Sequence, residues 1–260
     1  MRLSRFYVEE DLLAGQIYAL GTGLTHYLRN VLRAKSGDKI MLFNGQGGEY
    51  LAQIEAVSKK EVSAIVIQFE PSNRESELHL CLGVSVVKRD AMDTIIQKST
   101  ELGVSEIQPL IADLTTVSSK AIKQRVDHWR GIAISACEQC GRNTLPALHS
   151  PVATQEWIPL QTAELKLAMD PSGDYSLMDQ YPGTEVIAHP KRISVLIGPE
   201  GGLSENELQL TARHGYLATR LGPRILRADT APVAVLSILQ ARFGDFSSSA
   251  KASEHIFDSI

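Results

Sequence analysis

The chain has 260 residues, 43% of them hydrophobic, and its 30 acidic against 26 basic side chains give a net charge of −4. That length leaves room for two domains with real cores, and the charge excludes a globally basic nucleic-acid binder, leaving only a local basic face for that role. No stretch approaches the roughly eighteen apolar residues of a membrane span, and three cysteines fit a reducing cytoplasm better than a disulfide framework.

The N-terminal Met1-Arg2-Leu3-Ser4-Arg5-Phe6 lacks the apolar core of a signal peptide and reads as mature protein. Residues 1–71 read as a small β-rich domain. His26 to Lys35 is expected as a helix with His26, Arg29 and Arg33 on one face and Leu28, Val31 and Leu32 turned to a core. That basic face is either a solvated surface or a phosphate contact. Ile40–Phe43 and Tyr50–Ile54 flank the glycine-rich Asn44–Gly48 as a hairpin, and Val62–Ile67 alternates as a third strand. Pro71 to Ser76 is polar and helix-poor, a linker to a second domain over 76–246.

From Leu78 strands alternate with helices. Strands are expected at Leu78–Val86, Ile107–Ile111, Leu165–Met169, Ile193–Ile197 and Tyr216–Leu221. Helices are expected at Ala91–Leu102, ended by Gly103, at Ala121–Cys140, after Ser204 and at Ala231–Phe243. This is the pattern of an α/β fold, a largely parallel sheet flanked by helices. Residues 247–260, with a serine run and scattered charges, read as a disordered tail.

The chemistry concentrates in two turns. Ile197-Gly198-Pro199-Glu200-Gly201-Gly202 joins a buried strand to a helix opened by the Ser204/Glu207 capping box. No lysine and hydroxyl pair follows Gly202, as a Walker loop requires, and no G-x-G-x-x-G spacing is present. Glu200 would repel phosphate. The turn is thus a plain tight connection or a cradle whose backbone approaches another kind of ligand. Leu221-Gly222-Pro223-Arg224-Ile225-Leu226-Arg227-Ala228-Asp229-Thr230-Ala231 is a second glycine-bearing turn between strand and helix. Two strand ends of one parallel sheet place such loops side by side at the ligand-binding edge.

Other candidates are weaker. Cys137-Glu138-Gln139-Cys140 has C-x-x-C spacing but lies within a helical pattern, with no second pair to complete a metal site. Ala136 to Asn143 gathers Glu138, Gln139 and Arg142 at a helix end, either a polar recognition surface or an ordinary cap with Gly141 in the left-handed conformation. The histidines show no metal spacing, and no G-x-S-x-G elbow is present. No metal and no membrane partner are expected.

Four segments, Ile96–Val104, Ala136–Asn143, Ile197–Gly202 and Leu221–Ala231, together resemble the bacterial 16S ribosomal RNA uracil-N3 methyltransferases of the knotted, S-adenosylmethionine-dependent SPOUT superfamily. Arg5-Phe6 and Val31-Leu32-Arg33 also fit, and the likeness runs to about Phe246. It implies an N-terminal PUA-like β-barrel that helps hold RNA, a C-terminal trefoil-knotted methyltransferase domain and a homodimer that completes the active site. Members commonly carry glutamate where this chain has Ala228-Asp229, so the carboxylate is one methylene shorter.

The resemblance implies that the donor, S-adenosyl-L-methionine, lies across Met169-Asp170-Pro171, Leu196 to Gly202 and Leu221 to Leu226, with Thr230 and Ala231 beside it. Met169, Leu196, Leu221 and Ile225 would wall the adenine, and backbone at Gly198, Gly201 and Gly222 would read its edge, with Ile197, Pro199, Glu200, Gly202 and Leu226 completing the pocket. Losing the imide proton of uracil calls for a fixed cation, assigned to Arg227, with Asp229 or Glu200 as proton acceptor or as partner of Arg227. Arg5, His26, Arg29, Arg33, Glu138, Gln139 and Arg142 are the expected RNA contacts, the substrate being 16S ribosomal RNA or the small ribosomal subunit. A ribose 2′-O-methyltransferase and a non-catalytic RNA-binding assembly factor are the competing readings.

Overall fold

A computed structural model describes residues 3–118, 122, 124–179 and 189–247. The described residues form two compact units, the first within 3–75 and 137–145, the second within 76–136 and 146–247.

The first unit is a five-stranded sheet with one helix. In chain order it holds β1 (Arg5–Tyr7), β2 (Ile17–Leu20), α1 (Thr22–Asn30), β3 (Lys39–Phe43), β4 (Glu49–Val57) and β5 (Val62–Glu70), and the strands lie in the order β1-β3-β4-β5-β2. β1 runs parallel to β3, and the remaining pairs are antiparallel. Alternating residues of β3, β4 and β5 bury Leu42, Ile54, Val62, Ala64 and Val66 together with Leu28 of α1. At the β3–β4 turn, Gly48 has a φ of +68°, and a Cβ there would stand 2.4 Å from the Phe69 ring. Only glycine fits.

Helix α1 is shorter than its sequence suggests. It ends at Asn30, and Arg33 has a positive φ of 53°, so Arg33 does not continue the face of His26 and Arg29. Of the three apolar residues expected to turn inward only Leu28 is buried; Val31 and Leu32 are exposed. The chain leaves the helix before Val31 can reach the core.

The second unit is an eight-stranded sheet, and every pair in it is parallel. Its main elements are β6 (His79–Ser85), α2 (Arg89–Glu101), β7 (Glu106–Ile111), α3 (Val126–Cys140, whose last four residues count with the first unit), β8 (Ala147–Leu148), β9 (Val152–Ala153), β10 (Leu165–Met169), β11 (Tyr175–Ser176), β12 (Arg192–Ile197), α4 (Glu205–Arg213), β13 (Leu217–Arg220) and α5 (Thr230–Phe243), with a single helical turn at Thr154–Trp157. Helix α3 begins at Val126 rather than Ala121; Ala121 and Lys123 lie outside the described residues. Ser247 closes a 3-10 turn, and the expected disordered tail beyond it also lies outside the described residues.

Both sheet faces are covered, which explains the near-continuous apolar runs of the strands. One face packs Leu82, Val84, Leu167, Val195 and Ile197 against Met92, Ile95 and Ile96 of α2 and Val235, Leu236 and Leu239 of α5. The other face sets Ala168 and Leu196 against Trp157 and Tyr216. Gly83 admits Trp157 onto β6, since a Cβ there would lie 2.4 Å from the indole.

Candidate active site

The central strands stand in the order β13-β10-β12-β6, so the chain leaves β12, passes through α4 and returns on the far side of β10. Such a reversal of order leaves a crevice beyond the carboxyl ends of the strands. Met169 pairs with Ile197 on one side and Thr219 on the other, so three strands end level with one another. The loops that follow them line one cleft: Met169-Asp170-Pro171, Ile197 to Glu200 with Gly202, and Leu221-Gly222 with Arg224-Ile225-Leu226, closed by Ala228 and Ala231.

Each loop is fixed locally. Asp170 donates its N–H to the Thr219 carbonyl (2.9 Å), and its Oδ1 accepts from the Ser172 N–H (2.9 Å) and hydroxyl (2.8 Å). Gly173 completes this turn against β13, where a Cβ would lie 2.5 Å from the Ala218 carbonyl oxygen. In the second loop the Gly202 N–H donates to the Pro199 carbonyl (2.9 Å), and Gly202 takes a φ of +77°. In the third, Thr230 and Ala231 N–H groups both donate to the Arg227 carbonyl (3.0 Å each), starting α5.

Helix α4 opens with the capping box: Ser204 Oγ accepts from the Glu207 N–H (3.2 Å) and Glu207 Oε2 from the Ser204 N–H (2.8 Å). Glu207 is fully buried because its other oxygen accepts from the Asp113 N–H (3.1 Å) in the loop after β7. The Asp113 carboxylate in turn accepts from Ser204 Oγ (2.6 Å) and Gln155 Nε2 (3.0 Å). Sequence alone supplied the cap, whose local spacing is readable, but not Asp113, which lies 94 positions from Glu207 in the chain.

Several expected site residues take other places. Leu196 faces the opposite side of the sheet, buried with Trp157 and Tyr216, because neighbouring strand residues alternate faces and Ile197 takes the cleft side. Gly201 and Thr230 do not line the cleft, whereas Thr219, Arg224 and Ala228 do. Ile225 lines it while remaining 84% exposed, so it is a rim rather than a closed wall. Arg227 is exposed between Leu226 and Ala228, and Glu200 is exposed on the second loop. Asp229 accepts from Thr230 Oγ1 (3.2 Å). Among the described residues no ion pair joins it to Arg227.

The basic residues of the first unit divide into two groups. His26 and Arg33 are exposed, and half-buried Arg29 donates to the Lys59 carbonyl. Arg5 and Arg142, also expected as RNA contacts, are instead buried. Arg5 pairs with the buried Glu49 and donates to the Arg142 carbonyl (3.1 Å) and Asn143 Oδ1 (2.5 Å). Arg142 donates to both oxygens of Glu75. Glu138 is likewise turned inward and accepts from the Tyr7 N–H (3.0 Å); burial pushes its carboxyl up, partly offset by that bond and the charge of Arg5. Gln139 is exposed. Cys137 is buried and its thiol is pushed up to about 12 by burial, which removes it from thiolate chemistry. No cluster with metal-ligating composition occurs among the described residues, and no helix there is long and apolar enough to cross a membrane.

A parallel sheet with a glycine-lined crevice at its strand ends, in a chain that also carries a small sheet unit, defines a class that sequence comparison identifies. Residues 74–240 match the RNA methyltransferase domain, and residues 22–67 match the RNA methyltransferase PUA domain. The chain belongs to the family of the ribosomal RNA small subunit methyltransferase E: it is 34% identical to that protein of Buchnera aphidicola subsp. Schizaphis graminum over 95% of this chain and 99% of the relative. The crystal structure of a ribosomal RNA small subunit methyltransferase E from Neisseria gonorrhoeae, bound to S-adenosyl methionine, is 36% identical and superposes with a TM-score of 0.86, covering 94% of this chain and all of that one. A Legionella pneumophila structure in complex with the bound cofactor SAM is 38% identical, with a TM-score of 0.88 over 95% of this chain and 100% of its own.

Proposed function

We propose that this enzyme transfers a methyl group from S-adenosyl-L-methionine to N3 of a uridine in 16S ribosomal RNA. The observation that carries the reading is the cleft beyond the level ends of β10, β12 and β13, lined mostly by small and apolar residues, with Asp170, Glu200 and Arg224 among them. That lining suits an adenosyl group: Met169, Ile197, Leu221 and Leu226 offer apolar walls, and the turns at Gly198 and Gly222 leave N–H and C=O groups for the adenine edge and ribose. The donor supplies an electrophilic methyl group when bound.

The chain must supply the rest. The N3 lone pair of uracil is free to attack only when the imide proton has left. Arg227, on the loop between the cleft-lining Leu226 and Ala228, would place a guanidinium against the anion that develops on O2 or O4. A preorganised charge in a water-poor site can contribute a few kcal/mol to the transition state. Glu200 and Asp229 are the candidate proton acceptors, and neither is committed to Arg227. In the first unit, exposed His26 and Arg33, with Arg29 beside them, would contact phosphate and position the RNA without reading its sequence.

The family resemblance supports three further expectations: a trefoil knot in the second unit, a homodimer and a cytoplasmic setting. The dimer is tested by light scattering on the purified chain. The reaction itself is tested by nucleoside analysis of 16S ribosomal RNA from a strain lacking this protein. Loss of 3-methyluridine, restored by complementation, is expected. Loss of a ribose 2′-O-methyl group instead would refute uracil as the acceptor, and an unchanged nucleoside profile would refute catalysis on this RNA.

A further inference from the structure

A second depression opens from the wall of the donor cleft. It is lined by Pro171, Arg220, Gly222, Pro223, Arg224 and Ile225, of which Pro171, Gly222, Arg224 and Ile225 also line the cleft. Two arginines therefore line one small concavity, and no acidic residue lines it. Arg220 is held in place: its Nη1 donates to the carbonyls of Gly173 (2.7 Å) and Asp174 (2.9 Å). Those acceptors are neutral, so its charge is uncompensated by them. Arg224 is exposed and forms no ion pair among the described residues. The nearby Asp170 carboxylate is turned to Ser172 through its Oδ1.

We infer that Arg220 and Arg224 form an oxyanion subsite adjoining the donor cleft. The fixed guanidinium of Arg220 and the free one of Arg224 suit a group with several acceptor oxygens. Two sources carry that chemistry here: a phosphate of the substrate RNA, and the carboxylate of the donor's methionyl tail. The inference rests on the proposed function, because the second source requires the donor in the neighbouring cleft.

Arg224→Ala separates the sources, with Arg224→Lys as a variant that keeps charge but not the planar fork. Arg220 is left intact because it also anchors the Gly173 turn. Donor binding is measured by calorimetry with S-adenosylmethionine and with 5′-methylthioadenosine, which lacks the methionyl carboxylate. RNA binding is measured as a function of salt. If the anion is an RNA phosphate, Arg224→Ala weakens RNA binding, lowers the salt slope by about 0.7–0.9 and affects S-adenosylmethionine and 5′-methylthioadenosine alike. If the anion is the donor carboxylate, S-adenosylmethionine weakens about tenfold while 5′-methylthioadenosine does not. Unchanged RNA affinity, salt slope and donor affinity in Arg224→Ala would overturn the subsite. That result leaves the proposed function standing when wild-type protein still binds S-adenosylmethionine, and a wild type that binds none overturns the proposed function together with the donor-carboxylate source.

Discussion

Arg142 lays its guanidinium along the Glu75 carboxylate, Nη2 to Oε2 at 2.5 Å and Nε to Oε2 at 3.0 Å, tying the segment after α3 to the segment after β5. The arginine side chain is only 6% exposed and its partner 22%. Removing one member of such a pair leaves a poorly hydrated charge behind. Arg142→Ala should therefore destabilise the fold by about 2–4 kcal/mol, read as a lower urea midpoint. Its RNA affinity, measured under conditions where the variant is folded, should keep the wild-type salt slope. A reduced slope would return Arg142 to the RNA surface.

Arg33 makes the opposite case. It is exposed, and its φ of 53° is a left-handed conformation that most side chains avoid. Asparagine tolerates that conformation, so Arg33→Asn should leave stability within about 0.5 kcal/mol while removing the charge. The expected result is weaker RNA binding with a salt slope smaller by about 0.7–0.9, the share of one phosphate contact. Unchanged binding would make this basic surface mere solvated exterior.

The contrast between these arginines shows what a sequence discloses. Periodicity and caps are local, so the parallel-sheet strands, α2 with its Met92, Ile95 and Ile96 stripe, and the Ser204/Glu207 cap were all readable. The two glycine turns were legible as neighbours because parallel strands must end on one edge. Partners distant in the chain were not: Glu49 and Glu75 neutralise Arg5 and Arg142, and nothing within a local window announces either pairing. The side of the sheet was lost for Leu196 because a strand buried on both faces shows no alternation. Gly173 escapes a local reading for a similar reason, since its need for glycine comes from the backbone of β13.

Glu207 joins two loops at the carboxyl edge of the sheet through one carboxylate, accepting from Ser204 and Asp113 backbone N–H groups. Glu207→Gln keeps the shape but exchanges one acceptor for a donor, leaving one buried N–H unsatisfied at a cost of about 1–3 kcal/mol. Because Ser204 directly follows the Gly198–Leu203 turn, the loop should populate its binding conformation less. The expected outcome is a higher KM for S-adenosylmethionine with kcat at saturation held within about twofold. A variant with wild-type KM and a reduced kcat would assign Glu207 to the fold rather than to the donor loop.

Arg227 bears directly on the chemistry. Arg227→Ala should bind S-adenosylmethionine like the wild type by calorimetry yet lose about 10²–10³ in kcat, the typical cost of deleting one preorganised donor to a developing anion. Arg227→Lys should recover part of this, since it returns the charge without the fork. Methylation near the wild-type rate in Arg227→Ala would remove this residue from the mechanism and leave Arg224 as the cation to test.

Glu106 ties the amino end of β7 to its surroundings, accepting from His79 (2.6 Å) and Arg192 (2.8 Å) on Oε1 and from His149 (3.1 Å) on Oε2. Burial by itself would raise its carboxyl, but the hydrogen bonds from His79 and His149 and the charges of His79 and Arg192 outweigh it. The net effect lies below the ordinary value of 4.5. A carboxyl depressed in the folded state contributes stability that is complete above its unfolded value and is lost as pH falls through the folded one. Glu106→Gln should therefore melt below the wild type at pH 7, with the gap closing as pH drops below about 4.5. The measurement is Tm by circular dichroism from pH 7 to pH 3 for both proteins. A gap that stays constant across that range would show that the charge on Glu106 adds nothing beyond its shape.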